Sequence, residues 1–174
     1  MRRPLAGHLR YLWYVMVHKW FVLVEGRKLG LGLWQLAIHD LSKFGPSEWG
    51  PYVTFFYDEN GRPIQRRDGT GYYHVADEKA AFSAAWNHHV RVNPHHWQAW
   101  LLVKDGGAVV PLRMPRKFVL EMVADWRGAG RAQGTPDTVK WYAANGGKMV
   151  LHEETRHEVE ALLGVARNDA VSVR

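Results

Sequence analysis

The chain has no cysteine among its 174 residues. Disulfides, thiolate metal sites and cysteine nucleophiles are therefore excluded. Any metal must be held by His, Asp or Glu, a donor set that suits Mn, Fe, Co, Ni, Zn or Mg. No run approaches the ~20 apolar residues that span a bilayer, so no membrane partner is expected. Met1-Arg2-Arg3 opens in the manner of a signal peptide. However, His18-Lys19 interrupts the uncharged stretch Tyr11–Val17, and no small-residue cleavage site follows. The expected location is cytoplasmic. Internal repeats, long linkers and low-complexity segments are also missing. The length suits one full hydrophobic core. One domain is expected over residues 1–166, with a loose tail at 167–174.

What is present points to a globular chain with unusual flat surfaces. Hydrophobic residues make up 47% and charged residues 23%, which argues against wholesale disorder. Nine Trp, seven Tyr and six Phe imply a core and pockets lined by aromatic rings. A net charge of +6 favours anionic partners such as phosphoesters, nucleotides or nucleic acid. The bases fall in short groups: Arg66-Arg67, Arg113/Arg116/Lys117 and Arg127/Arg131. A solvated basic surface accounts for them equally well.

Periodicity predicts a mostly α fold with one or two small β-hairpins. Leu9, Leu12, Trp13, Met16, Trp20, Leu23 and Val24 recur at three- and four-residue spacing, giving a helix over Leu5–Leu29. A second helix is expected over Leu33–Lys43, and Pro46 starts a third. Turn residues from Asp58 to Tyr73, with Ile64 and Tyr72-Tyr73 as short strands, mark an exposed hairpin or lid over 58–75. Helix resumes at Asp77 until Asn93-Pro94, with a short helix beyond through Trp97 and Trp100. A small hairpin follows over 103–114. Pro115 opens a helix to Trp126 that Gly128 and Gly130 terminate. Thr138–Ala144 and Glu153–Leu163 complete the set, with Thr155 to Glu158 as a capping pattern.

His39-Asp40 is the centre of the chemistry. Neighbouring side chains on a helix diverge by about 100°, so both can reach one ion only if it lies between this helix and others. His18 in the first helix is one available ligand. Asp125 is another, on the same face as Phe118, Met122 and Ala129, where a carboxylate needs a partner or a cation. A second concentration, Asn87-His88-His89 through His95-His96, places two imidazole pairs on either side of the Asn93-Pro94 turn. Imidazole is the commonest protein metal ligand, though surface or capping histidines give the same spacing.

His18, His39-Asp40 and Asp125 in chain order resemble the H…HD…D signature of the HD-domain superfamily of metal-dependent phosphohydrolases. The longer blocks His39–Tyr52, Asn87–His96 and Glu121–Trp126 resemble a family of uncharacterised phage and bacterial proteins of the DUF5662 type. The resemblance covers about Tyr14 to Leu163. It implies an HD-like helical bundle with His18, His39, Asp40 and Asp125 as metal ligands; His8 is a competing first histidine. The resemblance leaves one ion or two open; the ligands of a second would be His89 and His96, with His88 and His95 as neighbours able to exchange roles. Lys43, four residues after His39, resembles a phosphate-contacting lysine of that superfamily, and Glu48 orients a ligand or a water.

The implied reaction is hydrolysis of a nucleotide or other small phosphoester by metal-activated water. Asp40 serves as ligand and proton acceptor, with Lys43 and Glu48 beside it in the catalytic set. Lys43, Arg127 and Arg131 hold the phosphoryl oxygens, unless the two arginines are ordinary helix-end cations. Trp13, Trp97 or Trp126 could stack a base, but aromatic residues at helical spacing more often fill a core, and none is assigned that role. The competing expectation is a non-catalytic helical module that binds nucleic acid or protein, with a structural metal or none. An oligomer is compatible with either.

Overall fold

The computed structural model describes residues 5–71 and 80–165. The strand at Tyr72-Tyr73, the helix start at Asp77 and the tail from Arg167 lie outside the described residues. The helices run α1 Leu5–Lys28, α2 Leu33–Ile38, α3 Pro46–Phe56, α4 Ala80–Val92, α5 Arg116–Ala132, α6 Thr138–Asn145 and α7 Glu153–Leu163. Single 3₁₀ turns occupy Leu41–Phe44, Trp97–Trp100 and Gly146–Lys148. Strands β1 Leu101–Val103 and β2 Val109–Pro111 pair antiparallel in the register Leu101↔Pro111, Leu102↔Val110 and Val103↔Val109. The expected mostly helical fold with a small hairpin is what forms.

Among the described residues α1 and α5 make the most extensive helix contact. α1 turns Tyr11, Val15, His18 and Val22 inward. The series by which the sequence reveals this helix is instead largely turned to solvent: Leu9, Leu12, Trp13, Met16 and Trp20 are all exposed. The helix is apolar on two faces, so periodicity identifies the helix but not its core side. Below α1, Tyr52, Phe55 and Phe82 from α3 and α4 build one core cluster. A second joins Val119, Met122 and Val123 of α5 to Tyr142, Val159 and Leu163 of α6 and α7.

Two sequence expectations fail for identifiable reasons. α5 does not stop before Gly128 and Gly130 but continues to Ala132. These glycines serve close approach: a Cβ on Gly128 would sit 2.6 Å from Val22 Cγ2 and 2.8 Å from the Val22 nitrogen, and one on Gly130 would sit 2.6 Å from the Thr135 carbonyl oxygen. Thr155 is not a cap; His152 caps α7 through the Glu154 amide, and Thr155 Oγ1 accepts from the Met114 amide at 3.0 Å. The insertion after α3 is only partly a hairpin. An isolated bridge joins Tyr57 to Pro63, and Asp58 Oδ1 accepts from the amides of Asn60 and Arg62. Ile64 donates its amide to the Phe56 carbonyl.

The Gly128 contact makes a stability prediction. Gly128→Ala forces the α1 backbone outward, and overpacking of this kind costs about 1–3 kcal/mol. At roughly 2–4 °C per kcal/mol for a chain of this size, a Tm lowered by several degrees in a thermal melt is expected. An unchanged Tm would show that the two helices can slide apart freely.

Candidate metal centre

The helix expected over Leu33–Lys43 breaks at the residues that matter. α2 ends at Ile38, His39 leaves the helical region (φ −49°, ψ 127°), and Asp40 takes the left-handed conformation at φ 55°, ψ 23°. Among the described residues Asp40 alone, glycines aside, has positive φ. Such a backbone costs of order 1–3 kcal/mol and persists only where surroundings enforce it. The Lys19 ammonium helps to enforce it, donating to the carbonyls of Ala37 and His39 at the end of α2. The kink removes the divergence that an unbroken helix would impose. Both side chains turn inward, His39 being 2% and Asp40 0% exposed.

Asp40 stands between two groups of ligand-type atoms. Its Oδ2 lies 3.3 Å from His18 Nε2 and 3.4 Å from His39 Nε2. Asp125 Oδ1 completes that group, 3.1 Å from His18 Nε2 and 3.5 Å from His39 Nε2. The other Asp40 oxygen, Oδ1, lies 3.4 Å from Nε2 of both His89 and His95. His96 joins there, its Nε2 2.9 Å from His89 Nε2. Within each group of four, the donor atoms all lie within 4.8 Å of one another. Ligands held about 2.1 Å from one ion are themselves about 3.0–3.4 Å apart, close to the spacings seen here. Moreover, His39 Nε2, Asp40 Oδ1 and His95 Nε2 are buried without a hydrogen-bond partner. Buried polar atoms left in this way are costly, and a divalent cation in each group would satisfy all three. The residues fit two ions.

The opposite ring nitrogens are held by two buried glutamates. Glu121 Oε1 accepts from His39 Nδ1 at 2.9 Å and lies 3.4 Å from His95 Nδ1. Gln35 supports it through Oε2. Glu48 sits 2.7 Å from His89 Nδ1 through Oε2 and 3.0 Å from His88 Nδ1 through Oε1. A carboxylate on Nδ1 fixes the tautomer that presents Nε2 to a metal. Three of the histidines that face Asp40, His39, His89 and His95, carry this support.

Charges in the cluster respond to one another. Burial would raise the Asp40 carboxyl, but His39, Lys43 and His89 hold it well below the usual range. Asp125 is likewise held down, against burial, by His18 and His39. Glu121, also against burial, is drawn to about 2 by its bonds to His39 and His95. Burial would lower His39, yet the surrounding carboxylates Asp40, Asp125 and Glu121 raise it well above its ordinary value. His95 is raised too, against burial and the repulsion of His39, by Asp40 and Glu121. His89 and His96 go the other way, pushed down chiefly by burial.

The centre opens onto a cleft of about 320 Å³ lined by His18, Lys43, His89, His96 and Asp125. Lys43 Nζ is 2.5 Å from Asp40 Oδ2. It lies on the 3₁₀ turn Leu41–Phe44 and not on a helix shared with His39. Trp97 and Trp126 also line the cleft, whereas Trp13 lies on the outer face of α1, 73% exposed. His8 does not compete for the centre; its Nδ1 accepts from Trp49 Nε1.

Two cations expected at the substrate are elsewhere. Arg127 donates to the Leu162 carbonyl, and Arg131 pairs with Glu25 at 2.6 Å over the Phe21 ring. Both point away because, at about 100° per residue, they project from the side of α5 opposite Asp125, while Asp125, Ala129 and Gly130 face the cleft. Among the described residues Arg67 is the arginine that lines the cleft. His95, expected only as a neighbour able to exchange roles with His89 and His96, faces Asp40 directly. Glu121 carried no individual role in the sequence reading. Its place four residues before Asp125 on α5, one turn away, was the available signal.

The model of a family of unknown function (DUF5662) matches residues 7–165, and the chain belongs to that family. No curated protein and no solved structure matches it.

Proposed function

We propose that this member of the family is a metal-dependent phosphohydrolase of the HD type, acting on a nucleotide or other small phosphoester. The observation that carries the reading is Asp40, a buried carboxylate whose two oxygens face two separate ligand groups beside an open cleft. His18, His39 and Asp125 would hold one divalent ion with Asp40, and His89, His95 and His96 the other. A pair of such ions supplies an acidified water and offsets charge on the phosphoryl oxygens.

The chain's own residues do the rest. Lys43 sits at the junction of centre and cleft, where its ammonium can hold a nonbridging phosphoryl oxygen, and Arg67 adds a second cation on the cleft wall. Both Asp40 oxygens face ligand groups, so proton acceptance falls to Asp125, the carboxylate that lines the cleft. Glu48 and Glu121 position imidazoles and do not touch substrate. Trp97 and Trp126 offer flat walls for a nucleobase. A purely structural metal site is normally closed. Here four ligand residues of one group or the other, His18, His89, His96 and Asp125, line the cleft, which favours the catalytic reading over a binding module.

The test is metal analysis of the purified protein, coupled to a phosphate-release screen over mono-, tri- and cyclic nucleotides and simple phosphoesters. Metal-dependent release is expected, and a His39→Ala/Asp40→Ala variant should lose both ion and activity. Unchanged metal content and turnover in that variant would defeat the proposal.

A further inference from the structure

We infer that the protein is a two-fold homodimer paired through the outer face of α1. Leu5, Leu9, Leu12, Trp13, Met16 and Trp20 fall within an arc of about 100° on this helix, opposite the face that carries Tyr11, Val15, His18 and Val22. They are 72%, 56%, 38%, 73%, 52% and 61% exposed. The stripe runs for roughly 22 Å at 1.5 Å per residue and contains no charged side chain. A helix that is apolar on both faces belongs in an interior, and among the described residues no helix is long and apolar enough to cross a membrane.

The stripe continues onto a second element. Lys19 ties the end of α2 to α1 through the carbonyls of Ala37 and His39. That neighbour adds Trp34 and Ile38, 77% and 45% exposed, with Leu41 following at 57%. An aromatic side chain presents roughly 150–250 Å², so the exposed fractions of Trp13, Trp20 and Trp34 alone offer roughly 300–500 Å². The aliphatic residues add a comparable area. The total reaches the roughly 800 Å² per partner of a stable interface and exceeds the roughly 300–600 Å² of the largest patch on an ordinary monomer.

The order of residues identifies the occupant as a second copy. An antiparallel α1 pair with its axis between Leu12 and Trp13 sets Leu5 against Trp20, Leu9 against Met16 and Leu12 against Trp13. Every member of the stripe meets another member, which is the self-complementarity a two-fold interface requires. Charge agrees with this. Two chains of +6 repel unless the contact is free of cations, and this one is. A lipid surface would need Lys and Arg flanking the apolar face. On α1 they are engaged within the chain: Arg10 with the Gly61 carbonyl, Arg27 with the Leu31 carbonyl and Lys28 with Glu25.

Sedimentation equilibrium of the full chain is expected to give twice its 20.0 kDa mass. Trp13→Glu/Met16→Glu should raise the dimer dissociation constant at least about 100-fold, as loss of two central anchors does, with the helical circular dichroism retained. Because the chain lacks cysteine, Leu12→Cys should oxidise to a covalent dimer across the axis. Val109→Cys, exposed on β2, should not. A wild-type chain that stays monomeric to 100 µM overturns the inference, as does equal cross-linking at both positions. A monomer that binds phosphatidylglycerol vesicles would assign the stripe to a lipid surface instead.

Discussion

Asp40→Asn is expected to empty both ion positions together and to lower phosphate release far beyond the about 10–100-fold that loss of an orienting residue costs. The substitution keeps the volume of the side chain, so the packing of a fully buried residue is not the variable. It changes the charge and one of two oxygens. Whichever way the amide turns, its nitrogen faces either the His18/His39 group or the His89/His95 group, and an N–H there repels a cation. The other group keeps an oxygen but loses the anion that offsets the ion's charge. Lys43, 2.5 Å from Asp40, loses its partner as well and becomes free to fall away from the cleft. Inductively coupled plasma analysis should report a drop from two ions to none with folded protein remaining. Glu48→Gln is the contrast: it touches His88, His89 and Ser42 and no member of the His18/His39 group, so only the ion of the 89–96 group should weaken. Asp40→Asn protein that retains both ions would show that Asp40 is not shared, and the two-ion reading would fall.

Much of this centre was legible in the sequence because its chemistry is carried by residue types that have few other reasons to be buried. His18, His39, Asp40, His89, His96 and Asp125 were all nameable, and all six converge. The helices around them were legible from apolar spacing and from Pro46 and Pro115. What could not be read was direction. α1 offers two apolar faces, and tertiary packing, of Val22 against Gly128 and of Tyr11 and Val15 against α3 and α4, decides which one is inside. The break of α2 at His39 was hidden because nothing in Leu33–Lys43 resembles a helix stop. Asp40 is not the glycine that a left-handed residue normally requires, so the sequence carries no conformational signal at that position. Glu48 was nameable as an orienting residue, but the burial of Glu121 and Glu48 was obscure for a related reason. Glutamate in a helix is usually a surface residue, and its burial follows from imidazoles that reach it from elements 40 to 82 residues away in sequence. Arg127 and Arg131 were misassigned because proximity to Asp125 along α5 does not place them on its face.

Removing the ions should cost the protein more stability than almost any single substitution, and the cost should grow with pH. A ligand that binds only the folded state stabilises it by about 2.7 kcal/mol at 100 times its dissociation constant. Two sites so loaded give about 5 kcal/mol, and at roughly 2–4 °C per kcal/mol for a chain of this size the Tm should fall by about 10–20 °C on chelation. The pH dependence follows from which imidazoles carry protons in the metal-free protein. His39 and His95 are raised by the carboxylates around them, so at neutral pH both tend to be protonated, and a protonated nitrogen cannot ligate. His89 and His96 are pushed down by burial and are already neutral. Loading must therefore displace a proton from one histidine in each group, His39 in the first and His95 in the second. Below the raised values each ion's affinity should rise about tenfold per pH unit for one displaced proton, and it should level off once pH passes them. The Tm difference between loaded and chelated protein should accordingly be larger at pH 8 than at pH 6. Titration calorimetry in two buffers of different ionisation heat counts the protons directly: release of about one per ion is expected, and uptake, or no exchange at all, would mean that His39 and His95 are not displaced by metal.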